Sequence, residues 1–278
     1  MFSLFLLSAC FRGFFSEQPK YQATEYHIDT PRIVAVRNHP LELVSGEPML
    51  IDALLLAPKG STIGPWKASV CGLSRSVRTI IWNVACFEDT EEVTTLASST
   101  ELPLQFAIPS FPEMQDCGDE IEEDDTGWWE ETDCAHYLPT LMETTVDGTP
   151  VYAVTFSSWY PTAPSNRMVP LEDFPIGLYA PQTASPGEEV ELRVEVHEDL
   201  RYANFHWYID AGTLLGTGLT TTQEFTQPST THPNGISIST NRLVIPEDFQ
   251  GELRIWVVMH YSWGEADMVW RQTSLEVQ

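Results

Sequence analysis

Positive charge is scarce in this 278-residue chain: 14 Lys plus Arg stand against 40 Asp plus Glu, a net charge of −26. A surface of that sign repels phosphate backbones and anionic headgroups, so no nucleic-acid partner is expected. Long apolar runs are missing too. After residue 15 none approaches the roughly 20 residues that a spanning helix needs. The chain contains no G-x-S-x-G elbow, no H-E-x-x-H pair and no glycine-rich phosphate loop. Serines, histidines and carboxylates occur, but no spacing selects a reacting pair, so the expectation is a protein that is not an enzyme. Patterns of helical period are scarce, and the absence of C-x-x-C removes the commonest zinc signature.

What is present is enough apolar residue, 42% of the chain, to build two cores of ordinary domain size. The chain opens MFSLFLLSAC. The apolar stretch Phe2 to Ala9 runs into Cys10, and the segment Leu6 to Cys10 (LLSAC) looks like a bacterial lipobox. Cleavage there would remove residues 1–9 as a signal peptide and leave a lipid on Cys10. No Lys or Arg precedes the apolar run, and the run is short. The expected location is outside the cytoplasm: exported and lipid-anchored to the bacterial cell envelope, at the outer membrane or cell surface. Five cysteines are present, and a lipidated Cys10 leaves an even four. Cys71, Cys86, Cys117 and Cys134 are expected as two disulfides in an oxidising compartment, with three pairings open. Residues 10–30 show no periodicity and read as a tether.

The remainder reads as two copies of one domain. Pro40 and Pro181, Gly46 and Gly187, Glu47 and Glu188, and Trp66 and Trp207 all stand 141 residues apart. In each copy a Pro…Gly-Glu turn precedes a long alternating strand, and a strand carrying tryptophan follows. Short strands, regular turns and a buried Trp on the third strand predict an immunoglobulin-like β-sandwich. The fold class is therefore all-β, two tandem sandwiches over 31–160 and 174–278, joined by a proline-rich linker over 161–173. RLVIP in the second copy has its equivalent in LQFAIP (Leu104 to Pro109). In the first copy the strand VYAVTFSSW is expected only after an insertion over about 110–147. That insertion carries the second cysteine pair and the most acidic run, DCGDEIEEDDTGWWEETDC.

PRIVAVRNHPLELVSGEPMLIDALLLAP, followed by a Trp and a Cys, is similar to uncharacterised acidic surface lipoproteins of myxobacterium-like bacteria. IPEDFQGELRIWVV in the second copy resembles the same kind of module. The resemblance covers most of residues 31–277 and implies tandem immunoglobulin- or PKD-like domains, with no activity to carry over.

Two stretches are candidate sites. The acidic loop holds ten carboxylates between Asp116 and Asp133, among them Asp119, Glu120, Glu122, Glu123, Asp124 and Asp125. Calcium takes about six to eight oxygens, but this run lacks the EF-hand spacing, so a solvated loop competes with a calcium site. No other cofactor is expected. The second candidate follows from strand alternation. With Phe205, Trp207 and Ile209 inward, His206 and Tyr208 point outward. With Leu253, Ile255, Val257 and Met259 inward, Trp256 and His260 point outward. Val269, Leu275 and Val277 leave Trp270 outside. His206, Tyr208, Trp256, His260 and Trp270 then form one exposed aromatic face, a place for the first domain or tether, an envelope protein or a glycan to bind. A metal between His206 and His260 would have two ligands and be weak. The predicted function is a non-catalytic surface-display, adhesion or structural module. The runner-up is a divalent-cation- or glycan-binding module, and an envelope hydrolase stands third.

Overall fold

The computed structural model describes residues 26–39, 46–71, 93–109, 136–159, 176–197, 203–229, 235–260 and 268–278; His39, Cys71, residues 136–139, residues 156–159 and His260 are described as backbone alone. Cys10, Cys86, Cys117, Cys134, the acidic loop and the 161–173 linker lie outside these ranges. The described residues are all-β, with no helix.

The first unit contains β1 (Arg32–His39), β2 (Pro48–Leu56), β3 (Trp66–Cys71), β4 (Val93–Ser99), β5 (Leu104–Ala107), β6 (His136–Val146) and β7 (Thr149–Trp159). They form two antiparallel sheets, β1-β2-β5 and β4-β3-β6-β7. Period-2 alternation drives the packing. Met49, Ile51 and Ala53 of β2 meet Trp66, Ala68 and Val70 of β3 in one core, with Leu104, Phe106 and Met142.

The second unit contains β8 (Ile176–Tyr179), β9 (Thr183–Ala184), β10 (Glu189–Val196), β11 (Asn204–Ile209), β12 (Thr213–Leu214), β13 (Leu219–Thr221), β14 (Glu224–Thr226), β15 (Ile236–Val244), β16 (Gly251–His260) and β17 (Met268–Val277). One sheet runs β12-β15-β10-β8, with β14 also paired to β15. The other runs β13-β11-β16-β17-β9. Val190, Leu192, Val194 and Val196 of β10 pack on Phe205, Trp207 and Ile209 of β11 and on Leu253, Ile255 and Val257 of β16.

The 141-residue offset is a structural repeat. β2 starts at residue 48 and β10 at residue 189. The order β1-β2-β5 recurs as β8-β10-β15, and β4-β3-β6-β7 recurs as β13-β11-β16-β17. The Gly-Glu turn closes alike in both: Gly46 N–H donates to the Ile108 carbonyl at 2.9 Å and Ile108 N–H to Glu47, while Gly187 N–H donates to Ile245 at 3.1 Å and Ile245 N–H to Glu188. Gly46 and Gly187 have φ of 83° and 79°, so the spacing preserves a left-handed position that glycine occupies without strain. Trp66 and Trp207 are both in the cores.

Two expectations need correction. The insertion does not extend to 147, because His136–Val146 is a full strand, hairpinned to β7. Its inward positions Thr140, Thr144 and Val146 frame Met142, so threonine hides the alternation. Asp147 and Gly148 form the turn with φ of 51° and 80°, the left-handed pair that an Asp-Gly hairpin uses. The tether also ends earlier than residue 30. Ile28 N–H donates to the Ile209 carbonyl at 3.2 Å, Ile209 N–H donates to the Tyr26 carbonyl at 3.0 Å, and the Tyr26 ring enters the second core.

A Cβ at Gly148 would meet no atom within 4 Å, so substitution there costs only backbone strain. Gly148→Ala should therefore lower stability by about 1–2 kcal/mol, read as an earlier urea midpoint with unchanged slope. An unchanged midpoint would show that the left-handed turn is not required.

Candidate functional site

The alternation expected of β11, β16 and β17 is present, since every residue assigned to the core belongs to the second core cluster. The opposite face, however, is not exposed. Tyr208 and Trp256 are each 5% accessible and His206 is 9% accessible, with Trp270 half-buried. Ile28, Val34, Ala35, Leu54 and Leu56 of the N-terminal half cover Tyr208, Trp256 and Trp270, forming one cluster with Val258 and Met268. Of the occupants the alternation left open, the first domain and the segment before it are the ones found here, so the candidate binding face is a buried joint between the two sandwiches and not an open patch. His260 pairs through its backbone with Asn204 and Met268; its side chain lies outside the described residues. Among the described residues no group of three or more His, Cys, Asp or Glu could hold a metal.

A signal for the covering surface, passed over by strand alternation, lies in two runs, Ile33-Val34-Ala35-Val36 and Leu54-Leu55-Leu56. A strand with one wet face alternates, whereas a strand buried on both faces reads as a continuous apolar run. Val36, Met49, Ile51 and Ala53 fill the first core, while Ala35 and Leu56 fill the joint. The β1-β2 layer is consequently packed on both sides. The order of layers is β4-β3-β6-β7, then β1-β2-β5, then β13-β11-β16-β17, then β12-β15-β10-β8.

A β-bulge shapes the joint. In β1 the register shifts between Ile33 and Ala35, leaving Val34 as the extra residue opposite β2. Without it, Arg32 and Arg37, five residues apart, would point to opposite faces. With it, both face the aromatic side chains. Arg32 lies 5.5 Å from the Tyr208 ring centroid and Arg37 lies 4.6 Å from that of Trp270. Arg254 covers Trp256 at 5.0 Å and pairs with Asp210 at 2.7 Å. Arg37 also bonds Asp52 at 2.8 Å, and Trp256 Nε1–H donates to Gln272 Oε1 at 3.0 Å. Cations over partly desolvated rings add about 1–2 kcal/mol each. At the rim, Lys59 and Glu252 approach to 3.7 Å but stay exposed, a contact worth little. Burial, and then the Arg37 charge, push the Arg271 guanidinium below its usual pKa while its Nε–H donates to the Ile176 carbonyl.

The N-terminal clasp completes this site. Residues 26–28 add in parallel at Ile209, beyond the point where β13 stops pairing with β11. Space for Tyr26 depends on Gly218, where a Cβ would lie 2.9 Å from the Tyr26 Cβ.

The two outermost faces differ from the joint at equivalent positions. Lys67 stands where the second copy has Tyr208, and its cross-strand partner Glu143 stands where Trp256 does. Those two make a 3.4 Å ion pair. On the opposite end, Glu195 stands 141 residues after Leu54 and pairs with Arg193. Among the described residues the two copies thus share their core positions and differ at these outer-face positions.

No protein-family model matches the chain, and no curated protein matches it. Among solved structures it is similar to Salmonella alpha-2-macroglobulin reacted with methylamine, at 11% identity and a TM-score of 0.26, over 88% of this chain and 16% of that one. It is also similar to the native conformation of E. coli alpha-2-macroglobulin, at 10% identity and a TM-score of 0.22, over 89% of this chain and 17% of that one. The chain thus spans about a sixth of the length of the structures it matches.

Two substitutions test the joint. Trp256→Ala should cost about 3–5 kcal/mol and expose the face to hydrophobic dyes; a change below about 1 kcal/mol would mean the ring is not packed. Gly218→Ala should displace Tyr26 and speed hydrogen exchange at the Ile209 amide, with β10 and β15 unaffected. Equal exchange in both proteins would show that the clasp does not depend on that glycine.

Proposed function

We propose that this protein is an exported, lipid-anchored component of the bacterial cell envelope that acts as a non-catalytic structural or adhesive module. Its two units are immunoglobulin-like sandwiches, the first carrying a disulfide-clasped acidic insertion between β5 and β6. The repeated strand order and the tryptophan on the third strand of each copy support that assignment. The observation that carries the functional reading is the joint itself. The aromatic face formed by Tyr208, Trp256 and Trp270 is spent on holding the sandwiches together, which favours a stiff spacer over a ligand cleft. The charged outer faces, with Lys67–Glu143 at one end and Arg193–Glu195 at the other, are the surfaces offered to envelope proteins or glycans. The lipobox at Leu6 to Cys10 and the even number of remaining cysteines support the anchor and the oxidising compartment. The likeness to acidic surface lipoproteins of myxobacterium-like bacteria agrees with this reading.

Intact-mass analysis of protein taken from its native membrane fraction, with and without reductant, tests the proposal. A chain lacking residues 1–9, carrying a diacylglycerol adduct and gaining four hydrogens on reduction, is the expected result. An unmodified chain beginning at Met1 with five free thiols would overturn it.

A further inference from the structure

We propose that the Tyr26–Ile28 clasp is a mechanical latch. Tension applied to the chain ahead of Tyr26 enters the second sandwich through bonds loaded in shear, and bypasses the first sandwich while the latch holds. The use of such a latch in an envelope rests on the anchored-module reading above. The force response itself is a property of the fold and does not.

The load path follows from strand direction. His27 bridges Ile209 in parallel, with Ile209 N–H donating to the Tyr26 carbonyl at 3.0 Å and Ile28 N–H donating to the Ile209 carbonyl at 3.2 Å. The clasp therefore runs the same way as β11. β11 is antiparallel to β16, and β16 is antiparallel to β17, so β17 runs that way too. Ile209 stands level with Ile255 and Thr273, and β17 continues past that level to Val277. A pull that draws Tyr26 backwards and Gln278 forwards thus acts along the strand axes. Ladder hydrogen bonds lie across the strands, so this pull shears them and strains both clasp bonds at once. The clasp, β11, β16 and β17 are neighbours in one sheet, and among the described residues the first sandwich adds no strand to it.

The links along this path are unequal. β16 and β17 pair continuously from Gly251↔Val277 to His260↔Met268. β9 holds the end of β17 as well, with Gln278 N–H donating to the Ala184 carbonyl at 3.1 Å and Glu276 N–H to the Gln182 carbonyl at 3.0 Å. The clasp has its two backbone bonds, the Tyr26 ring in the second core and the Ile28 side chain in the joint. It is the weaker link and yields first. Forced opening follows the rate at which a link breaks and not the equilibrium stability of the whole, so the weak link sets the first event. Once it gives, the load moves to Arg32 at the start of β1, and from there to the first sandwich and the joint. Residues 26–31 straighten at that moment, a stretch of chain that spans up to about 20 Å.

Stretching single full-length chains in an optical trap, with handles at the two chain ends, tests the proposal. The wild-type record should open on a short step on the order of 20 Å, followed only at later times by steps roughly tenfold longer as a sandwich unravels. Tyr26→Ala should abolish the short step and leave the long ones. Gly218→Ala, whose added Cβ would lie 2.9 Å from the Tyr26 Cβ, should do the same. Should either variant fail to fold, the order of steps in the wild-type chain decides alone. A wild-type record that opens on a long step overturns the proposal. A short step that is unchanged in both variants also overturns it, because the latch would then lie elsewhere. Neither outcome touches the anchored-module reading, since the purified chain is pulled without a membrane; that reading falls on the mass measurement instead.

Discussion

The burial of Tyr208, Trp256 and Trp270 under the second face of β1 and β2 is the contact on which the arrangement of this molecule depends. Each sandwich has its own core, and neither core needs the other. What links them is a third apolar cluster, assembled only because the β1-β2 layer is hydrophobic on both sides. Full burial of a large apolar side chain is worth about 2 kcal/mol, and Tyr208 and Trp256 are buried to that degree beneath Ala35 and Leu56, with Trp270 half-buried beside them. The clasp of residues 26–28 then ties the start of the described chain to β11 of the second sandwich.

Charge is distributed to the same end. Arg32, Arg37, Lys59, Arg254 and Arg271 sit in or around the joint, five of the fourteen basic residues in a chain of net −26. Elsewhere the surface is acidic, which keeps neighbouring molecules apart. At the joint, cations lie over aromatic rings that are partly removed from water, where their attraction exceeds what an exposed ion pair supplies. The bulge at Val34 is the backbone device that makes this possible, because it brings two arginines of one strand to one face.

Much of the fold could be read from residue order. The 141-residue spacing of Gly46 with Gly187 and of Trp66 with Trp207 reflects the same turn and the same core position used twice. Alternation in β10, β11 and β16 assigned the core side chains correctly, since a strand with one packed face leaves a period of two in its sequence. β6 was hidden because two of its four inward positions, Thr140 and Thr144, are threonines, which carry little hydrophobic contrast. The candidate face was legible as a set of neighbours, with the first domain or tether, an envelope protein or a glycan as occupants; which of these covers it was not legible. Its side chains were known to leave their own core; what they met could not be read from their own strands.

Composition, periodicity and spacing therefore determined the fold class, the repeat and the inward face of most strands, because each of these is set by neighbours within a few residues or by a turn of fixed geometry. Only the tertiary structure decided that β1 and β2 are packed on both sides, that Tyr26 belongs to the second sandwich, and that the aromatic face is a joint. Those facts depend on contacts between residues as far apart as Tyr26 and Ile209 or Leu54 and Trp256, and on a one-residue bulge. A single inserted residue reverses which side chains share a face, while the sequence around it remains an ordinary apolar run.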